Sequence, residues 1–341
     1  MESLTAKSQT NEAGKHGEKM NESDYLKPKT LDEALSFLEQ YGKKAVLIAG
    51  GTDVMVKIRQ RAISPDVLIS LRGVQGLDRI QHDGDLRIGA MVTHRTIEKS
   101  QLIRKEFSAL ADAVDVLGSI QIRNVGTIGG NICTAAPSAD TAPPLLVLGT
   151  EVKVKSFGGE RAIPIKEFFT GPGETVLKEG EIVTELVIPR PLPYTASAYC
   201  KHRRRLALDL PIIGVSTLLS LDKDRISCSH MLGTSTPISS ILHAMEQDNL
   251  VCKEVRIALG VAAPTPMRAV KAETLLRGQK IRNELVDQMA EAAAQEAQPR
   301  DSFRAEAWYR RDMIRVFVKR MVVKCIERIC QPEEAVSHGA S

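Results

Sequence analysis

Leu47-Ile48-Ala49-Gly50-Gly51-Thr52-Asp53 decides how this chain is read. The apolar run Ala45 to Ala49 has the length and composition of a buried strand, and it leads straight into two glycines and two small polar residues. Glycines let the backbone approach a ligand closely, and successive exposed N–H groups in such a turn form an anion nest suited to a diphosphate. A second cluster, Thr127-Ile128-Gly129-Gly130-Asn131, has the same character, in a run that ends Pro137-Ser138-Ala139-Asp140. Neither fits G-x-G-x-x-G or G-x-x-x-x-G-K, so neither the Rossmann nor the P-loop site is indicated. On spacing alone, a pair of tight turns without a ligand is an equally good reading.

Outward from the first cluster, Thr30 and Glu33 form a capping box for a helix through Leu31, Ala34, Leu35 and Leu38. Strands are expected at 67–71, 85–89, 152–156 and 182–189, and helices from near Thr93 and over 107–117. Residues 125–144 are rich in Gly, Ala, Ser and Pro and read as buried loop. Pro189-Arg-Pro-Leu-Pro193 breaks regular structure and reads as a linker. Beyond it lie two strand-like runs flanking Lys201-His-Arg-Arg-Arg205, a strand at 255–261, and helices near 284–297 and 302–329. Strands and helices mixed in two blocks argue for an α+β protein. The expected units are a disordered extension (1–23), a first domain (24–193, subdomains about 24–80 and 81–193), a second domain (194–330) and a tail (331–341).

At 341 residues the chain suits two domains, and 43% hydrophobic with 26% charged residues is ordinary for a globular protein. A net charge of +4 does not call for nucleic acid or an anionic membrane as main partner. The longest stretch free of Asp, Glu, Lys and Arg, Ile226 to Met245, holds two His and many hydroxyls, so no membrane span is expected. Six scattered cysteines without a CxxC pair, and a polar N-terminus, read as a cytoplasmic protein with reduced thiols. No Ser-His-Asp or Cys-His order is recognisable, so no catalytic residue is assigned.

The two clusters gain weight from their company. Leu86-Arg-Ile-Gly-Ala90, Gln121-Ile-Arg-Asn-Val125, Ser138-Ala-Asp140 and Phe168-Phe-Thr-Gly-Pro-Gly173 fall in register with them. Together they closely resemble the FAD-binding medium subunit of molybdenum hydroxylases, the xanthine dehydrogenase, carbon monoxide dehydrogenase and 4-hydroxybenzoyl-CoA reductase types. Arg203-Arg-Arg-Leu-Ala-Leu-Asp209 and the run Arg256 to Arg268 extend the resemblance, which covers about residues 24 to 329.

The resemblance implies a two-subdomain FAD-binding fold of the vanillyl-alcohol-oxidase (PCMH) type, followed by a C-terminal α+β flavoprotein domain. It implies that Leu47, Ile48, Ala49, Gly50, Gly51, Thr52 and Asp53 wrap the FAD diphosphate through backbone N–H groups. Thr127, Gly129, Gly130 and Asn131 would form a second wall. Ser138, Asp140 and Lys201 would add polar contacts, and Phe168 to Gly171 would lie near the isoalloxazine, although side chains such as Phe168 and Phe169 are more often core than flavin platform. It also implies a relay. Electrons leave substrate at a molybdenum cofactor in a large molybdopterin subunit, cross two [2Fe–2S] clusters in a small iron–sulfur subunit, and reach FAD here. NAD+ or another acceptor then takes them, in a dimer of heterotrimers. Arg203, Arg204 and Arg205 would either steer an anionic acceptor or simply form a solvated loop.

The stretch between Ile226 and Val255 is about twenty residues longer than the resemblance suggests. Its Cys228, His230, His243 and Cys252 are irregularly spaced, and no metal or cluster site is expected. Cys133, amid small residues, reads as a buried thiol. The alternatives to the relay are a free-standing FAD-dependent dehydrogenase or oxidase, and a flavin-free scaffold subunit that keeps the fold.

Overall fold

A computed structural model describes residues 23–205, 208–222 and 250–330 of the chain. Cys228, His230 and His243 lie outside those residues, as do most of the N-terminal extension and the tail.

The first layer is a parallel sheet. β1 (Asp24–Leu26) and β2 (Ala45–Ile48) both pair with β3 (Val67–Ser70). The helix α1 (Leu31–Tyr41) crosses between β1 and β2. The Glu33 amide donates to Thr30 Oγ1 at 3.2 Å, while the Glu33 carboxylate reaches back to the Lys29 amide, one residue earlier than a standard capping box. Ala34 and Leu35 bury one face of α1 against Leu71, Val74 and Leu77. α2 (Val54–Arg59) follows the first glycine turn and returns the chain toward β3.

The second sheet is antiparallel. β4 (Ile80–Asp83), β5 (Asp85–Gly89), β10 (Ile182–Ile188), β6 (Glu151–Ser156) and β7 (Gly159–Pro164) lie in the order β4-β5-β10-β6-β7, with β8 (Phe169–Gly171) and β9 (Glu174–Thr175) forming a separate two-stranded ribbon. Alternate residues of the strands, Leu86, Ile88, Val152, Val154, Leu186 and Ile188, turn inward. They pack on helices drawn from the chain between β5 and β6. These are α3 (His94–Lys99), α4 (Gln101–Glu106), α5 (Ser108–Asp115), α6 (Ile120–Val125), α7 (Ile128–Thr134) and α8 (Ala142–Leu148). Burying a large apolar side chain such as Phe107 or Leu110 contributes roughly 1.5–3 kcal/mol each.

The expectation of buried loop over residues 125–144 is corrected here, since α7 lies within it and α8 starts there. Pro143 and Pro144 occupy the first turn of α8, where a missing N–H costs nothing. Gly129 is tolerated in α7 because it presses against the Ala90 backbone, and Gly130 because a Cβ there would stand 2.9 Å from the capping Thr127 Oγ1. The long C-terminal helix starts at Ala307, not Ser302.

The third sheet has β11 (Thr195–His202), β12 (Ile213–Leu221), β13 (Cys252–Gly260) and β14 (Met267–Arg268) in sequence order, all antiparallel. The helices Val270–Leu276, Asn283–Glu296 and Ala307–Cys330 complete this part. β12 is buried along its whole length, with the helix Ala307–Cys330 and α8 both packed against it. Glu273, fully buried, accepts from the Ile257 amide and from Arg268 Nε and Nη2, pinning β14 and the following helix to β13.

Polar bonds join the third sheet and its C-terminal helix to α5 and α8. Asp112 on α5 receives both terminal nitrogens of Arg328 at 2.9 and 2.8 Å, and the Tyr199 amide at 3.0 Å. Ser108 and Ala109 bond reciprocally to Ser197 on β11. Arg256 on β13 donates to the Val147 carbonyl at the C-terminal end of α8, the negative end of the helix dipole. Cys133, Cys200, Cys252 and Cys325 are free thiols. Cys330 is disulfide-bonded, so the expectation of reduced thiols does not extend to it. Among the described residues no helix is long and apolar enough to cross a membrane.

Candidate functional site

A cavity of about 660 Å³ opens where the three sheets converge, a volume typical of small-molecule and cofactor sites. Leu47, Ala49, Gly50, Gly51, Thr52, Asp53, Thr127, Gly129, Gly130, Asn131, Ser138, Asp140 and Lys201 all line it. Ile48 does not. Its buried side chain lies beneath the turn, and a Cβ on Gly51 would meet Ile48 Cδ1 at 3.3 Å.

The first glycine turn carries the chain from the end of β2 into α2. Gly51 sits at φ +77°, the left-handed region glycine enters at no steric cost. Gly50 is needed for a different reason: a Cβ there would lie 2.0 Å from the Val125 carbonyl oxygen. The turn thus rests directly on the backbone that precedes α7. Among the described residues no acceptor takes the main-chain N–H groups of Gly50, Gly51, Thr52 and Asp53. Consecutive unengaged amides on a cavity wall, at the start of a helix, are a cradle for negative oxygens.

The second turn is built otherwise. The Ile128 amide donates to the Val92 carbonyl and the Gly129 amide to the Ala90 carbonyl, both at 3.0 Å. Thr127 caps α7, its hydroxyl accepting from the Gly130 amide at 3.1 Å, and the Asn131 amide returns to the Thr127 carbonyl at 2.9 Å. This turn spends its amides inside the protein. What it offers the cavity is a close backbone surface and the Asn131 side chain. Asn131 Oδ1 accepts from Thr141 Oγ1 at 2.6 Å, which leaves its NH2 group to face a ligand. The Ser138 hydroxyl, also on the wall, bonds to no described residue.

β11 supplies the far side. Alternation along the strand turns Ala198 and Cys200 into the C-terminal core and Ser197, Tyr199 and Lys201 toward the first domain. Lys201 Nζ lies 2.7 Å from Asp140 Oδ2 and 3.3 Å from the Val116 carbonyl, while Tyr199 Oη donates to Asp140 Oδ1 at 2.8 Å. The ion pair is almost sealed, with side-chain exposures of 2% and 6%. Burial pushes the Asp140 carboxyl up, and the Lys201 ammonium opposes that shift. Both Asp140 oxygens are engaged by protein, so this residue fixes Lys201 at the cavity wall, with Tyr199 buried behind it. Gly214 on β12 makes room, since a Cβ there would stand 2.8 Å from Tyr199 Oη.

One expectation, for Cys133, is revised, and two open readings are narrowed. Phe168 is fully buried in the core of the second sheet, and neither it nor Phe169, Thr170 or Gly171 lines the cavity. Cys133 is exposed, on the cavity wall, instead of being packed away. The cluster Arg203 to Arg205 belongs to a loop folded around Asp209, whose carboxylate accepts from the Arg204 and Arg205 amides at 3.1 Å, and this loop brings Leu208, Asp209 and Leu210 to the cavity. Sequence reasoning missed Tyr199 and His94. Tyr199 was detectable only through its i, i+2 relation to Lys201, and His94 only through the helix cap Thr93 that precedes it.

The residues fit a flavin dinucleotide: unengaged amides of the kind a diphosphate needs lie on one wall, the second glycine turn lies on another, and polar side chains ring the remainder. Comparison with known proteins points the same way. The family of FAD-binding domains in molybdopterin dehydrogenases matches residues 19–191, and the CO dehydrogenase flavoprotein C-terminal domain matches 197–325. The xanthine dehydrogenase FAD-binding subunit of Escherichia coli O157:H7 is 30% identical over 311 residues, covering 89% of this chain and 96% of the relative. The nicotinate dehydrogenase FAD-subunit of Eubacterium barkeri is 36% identical over 208 residues, 60% of this chain and 70% of that one. Among solved structures, a chain of carbon monoxide dehydrogenase from Hydrogenophaga pseudoflava superposes with a TM-score of 0.79 at 28% identity, covering 90% of this chain and 98% of that chain.

Proposed function

The chain belongs to the family of FAD-binding subunits of molybdenum hydroxylases, and from that premise we propose that it is the electron-transfer subunit of such a complex. In this reading it passes electrons between [2Fe–2S] clusters of a small partner subunit and NAD+ or another acceptor, while a molybdopterin large subunit handles substrate. The complex is a cytoplasmic dimer of heterotrimers. Flavin supplies the redox chemistry, and the protein supplies binding, orientation and electrostatics.

The observation that carries the reading is the first glycine turn, where the four amides Gly50 to Asp53 face the cavity without a protein acceptor. They hold the diphosphate. Asn131 and Ser138 hold polar parts of the dinucleotide on the second wall. Asp140 positions Lys201, whose positive charge, sealed from water, adds to the field at the site. The two domains are the FAD-binding unit 24–193 and the C-terminal unit 194–330, with the cavity closed by β11 of the second.

The purified chain, or its complex, should show the visible bands of oxidised flavin and release FAD on denaturation. NADH, or the reduced iron–sulfur partner, should bleach those bands, while the chain alone should hydroxylate no organic substrate. A colourless protein that takes up no added FAD would overturn the reading.

A further inference from the structure

His94 is the one cavity-lining side chain of the described residues that carries a buried orphan atom. The residue is 2% exposed, lines the cavity, and its Nδ1 is fully buried without a hydrogen-bond partner. Burial of an unpartnered polar atom costs of order 1–3 kcal/mol, so its retention asks for a compensating role. Its position is fixed from two sides. Thr93 caps α3, and the His94 amide donates to the Gly126 carbonyl at 3.0 Å. The Cδ2 edge of the ring lies against Gly126, where an added Cβ would stand 3.3 Å from His94 Cδ2 and 3.7 Å from Thr52 Oγ1. The ring is therefore a neighbour of the first glycine turn.

The two nitrogens differ. Nδ1 is sealed, whereas Nε2 is not among the buried orphan atoms and bonds to no described residue, which leaves it as the nitrogen open to the cavity. An orphaned buried N–H is rarer and costlier than an under-used acceptor. The proton is therefore placed on Nε2, with the bare lone pair of Nδ1 buried. Burial, with the Arg123 guanidinium nearby, also pulls His94 down to about 4, so the ring is neutral near pH 7. Arg123 itself is neutralised by Glu98 at 2.9 Å, and Glu98 also holds Arg95 at 2.9 Å.

We propose that His94 is a cofactor-holding residue of this site, a single-tautomer imidazole that donates its Nε2–H to an acceptor oxygen of the bound dinucleotide beside the first glycine turn. The proposal deepens the FAD reading and rests on it. A histidine there does what a lysine could not do without a large desolvation penalty: it donates one directed hydrogen bond from a dry wall without bringing a buried charge.

The test compares FAD dissociation constants of the full chain for wild type and for His94→Gln, His94→Asn and His94→Leu. Glutamine places an amide N–H close to where Nε2 stands, whereas asparagine mimics only the Nδ1 position. Expected is wild-type affinity within about threefold for His94→Gln, and about tenfold weaker binding for His94→Asn and His94→Leu, the loss of one hydrogen bond. Nitrogen-15 NMR of the apo protein should show the Nε2–H tautomer. Equal affinities of wild type and His94→Leu, equal losses in His94→Gln and His94→Leu, or an Nδ1–H tautomer would each overturn the proposal. Those outcomes leave the FAD reading standing; a wild-type chain that binds no FAD removes both.

Discussion

The two glycine turns look alike in sequence and do opposite work. Leu47 to Asp53 keeps its amides unspent and presents them to the cavity, while Thr127 to Asn131 spends every one of its four amides from Ile128 to Asn131 inside the protein. The difference follows from what each turn joins. The first links the end of a parallel strand to a short helix, and backbone leaving β2 has no further strand partner. The second must dock the start of α7 on the segment Ala90–Val92, and its amides make that junction. Glycine serves both purposes: at Gly51 for a positive φ, and at Gly50 and Gly129 for backbone packed too close for a Cβ. The lesson is that a glycine-rich turn near a cavity identifies a close approach, and only the hydrogen-bond accounting tells whether a ligand or the protein itself is approached.

This contrast can be broken by mutation, because changes on the second and far walls should register mainly in the apo protein, whereas changes at the first turn should register with FAD as well. The largest apo effect is expected from Lys201→Met, on the far wall that β11 supplies. It leaves the Asp140 carboxylate buried with Tyr199 as its one remaining donor, a loss of about 4 kcal/mol, read as a shift in the denaturant midpoint. Gly50→Ala should fail in both states, since its Cβ meets the Val125 carbonyl: roughly 3 kcal/mol of apo stability and measurable FAD retention are lost together.

A pH series sharpens the picture at His94. Its folded value, about 4, lies below its ordinary 6.5, so the unfolded chain binds the extra proton between those values. Apo stability should fall as pH drops from about 6.5 to 4, by about 3 kcal/mol from this group, and the fall should shrink in His94→Gln. Thr127→Ala is the mildest test. It deletes the cap of α7 and should cost about 1 kcal/mol of apo stability with FAD affinity changed little, as expected of a hydroxyl spent on the Gly130 amide and not on ligand.

Much of this arrangement was legible in the chain. The capping box at Thr30, the strand into Gly50, and the strands at 67, 85, 152 and 182 announce themselves through local periodicity, and the cavity-lining residues of both turns through the family resemblance that their motifs carry together. What was not legible depends on distant packing. Gly129-Gly130 and Pro143-Pro144 argue locally against helix, and tertiary contact with Ala90 and β12 overrides them. The resemblance places Phe168 to Gly171 near the flavin but leaves the Phe168 side chain open between core and flavin, and only packing decides that it fills the core of the second sheet. Cys133 reads as buried because its neighbours are small, and the same smallness opens the cavity beside it. His94 carries no local mark of its burial, which Gly126 and α6 impose from about thirty residues away.

The most direct measurement is amide hydrogen exchange of the two turns, with and without FAD. In the apo protein the amides of Gly50 to Asp53 should exchange fast and those of Ile128 to Asn131 slowly. Saturating FAD should slow the first set by at least tenfold beyond any change in the second, because only the first gains new acceptors. First-turn amides already protected in the apo protein, or unchanged when FAD binds, would contradict the assignment of the diphosphate to that turn.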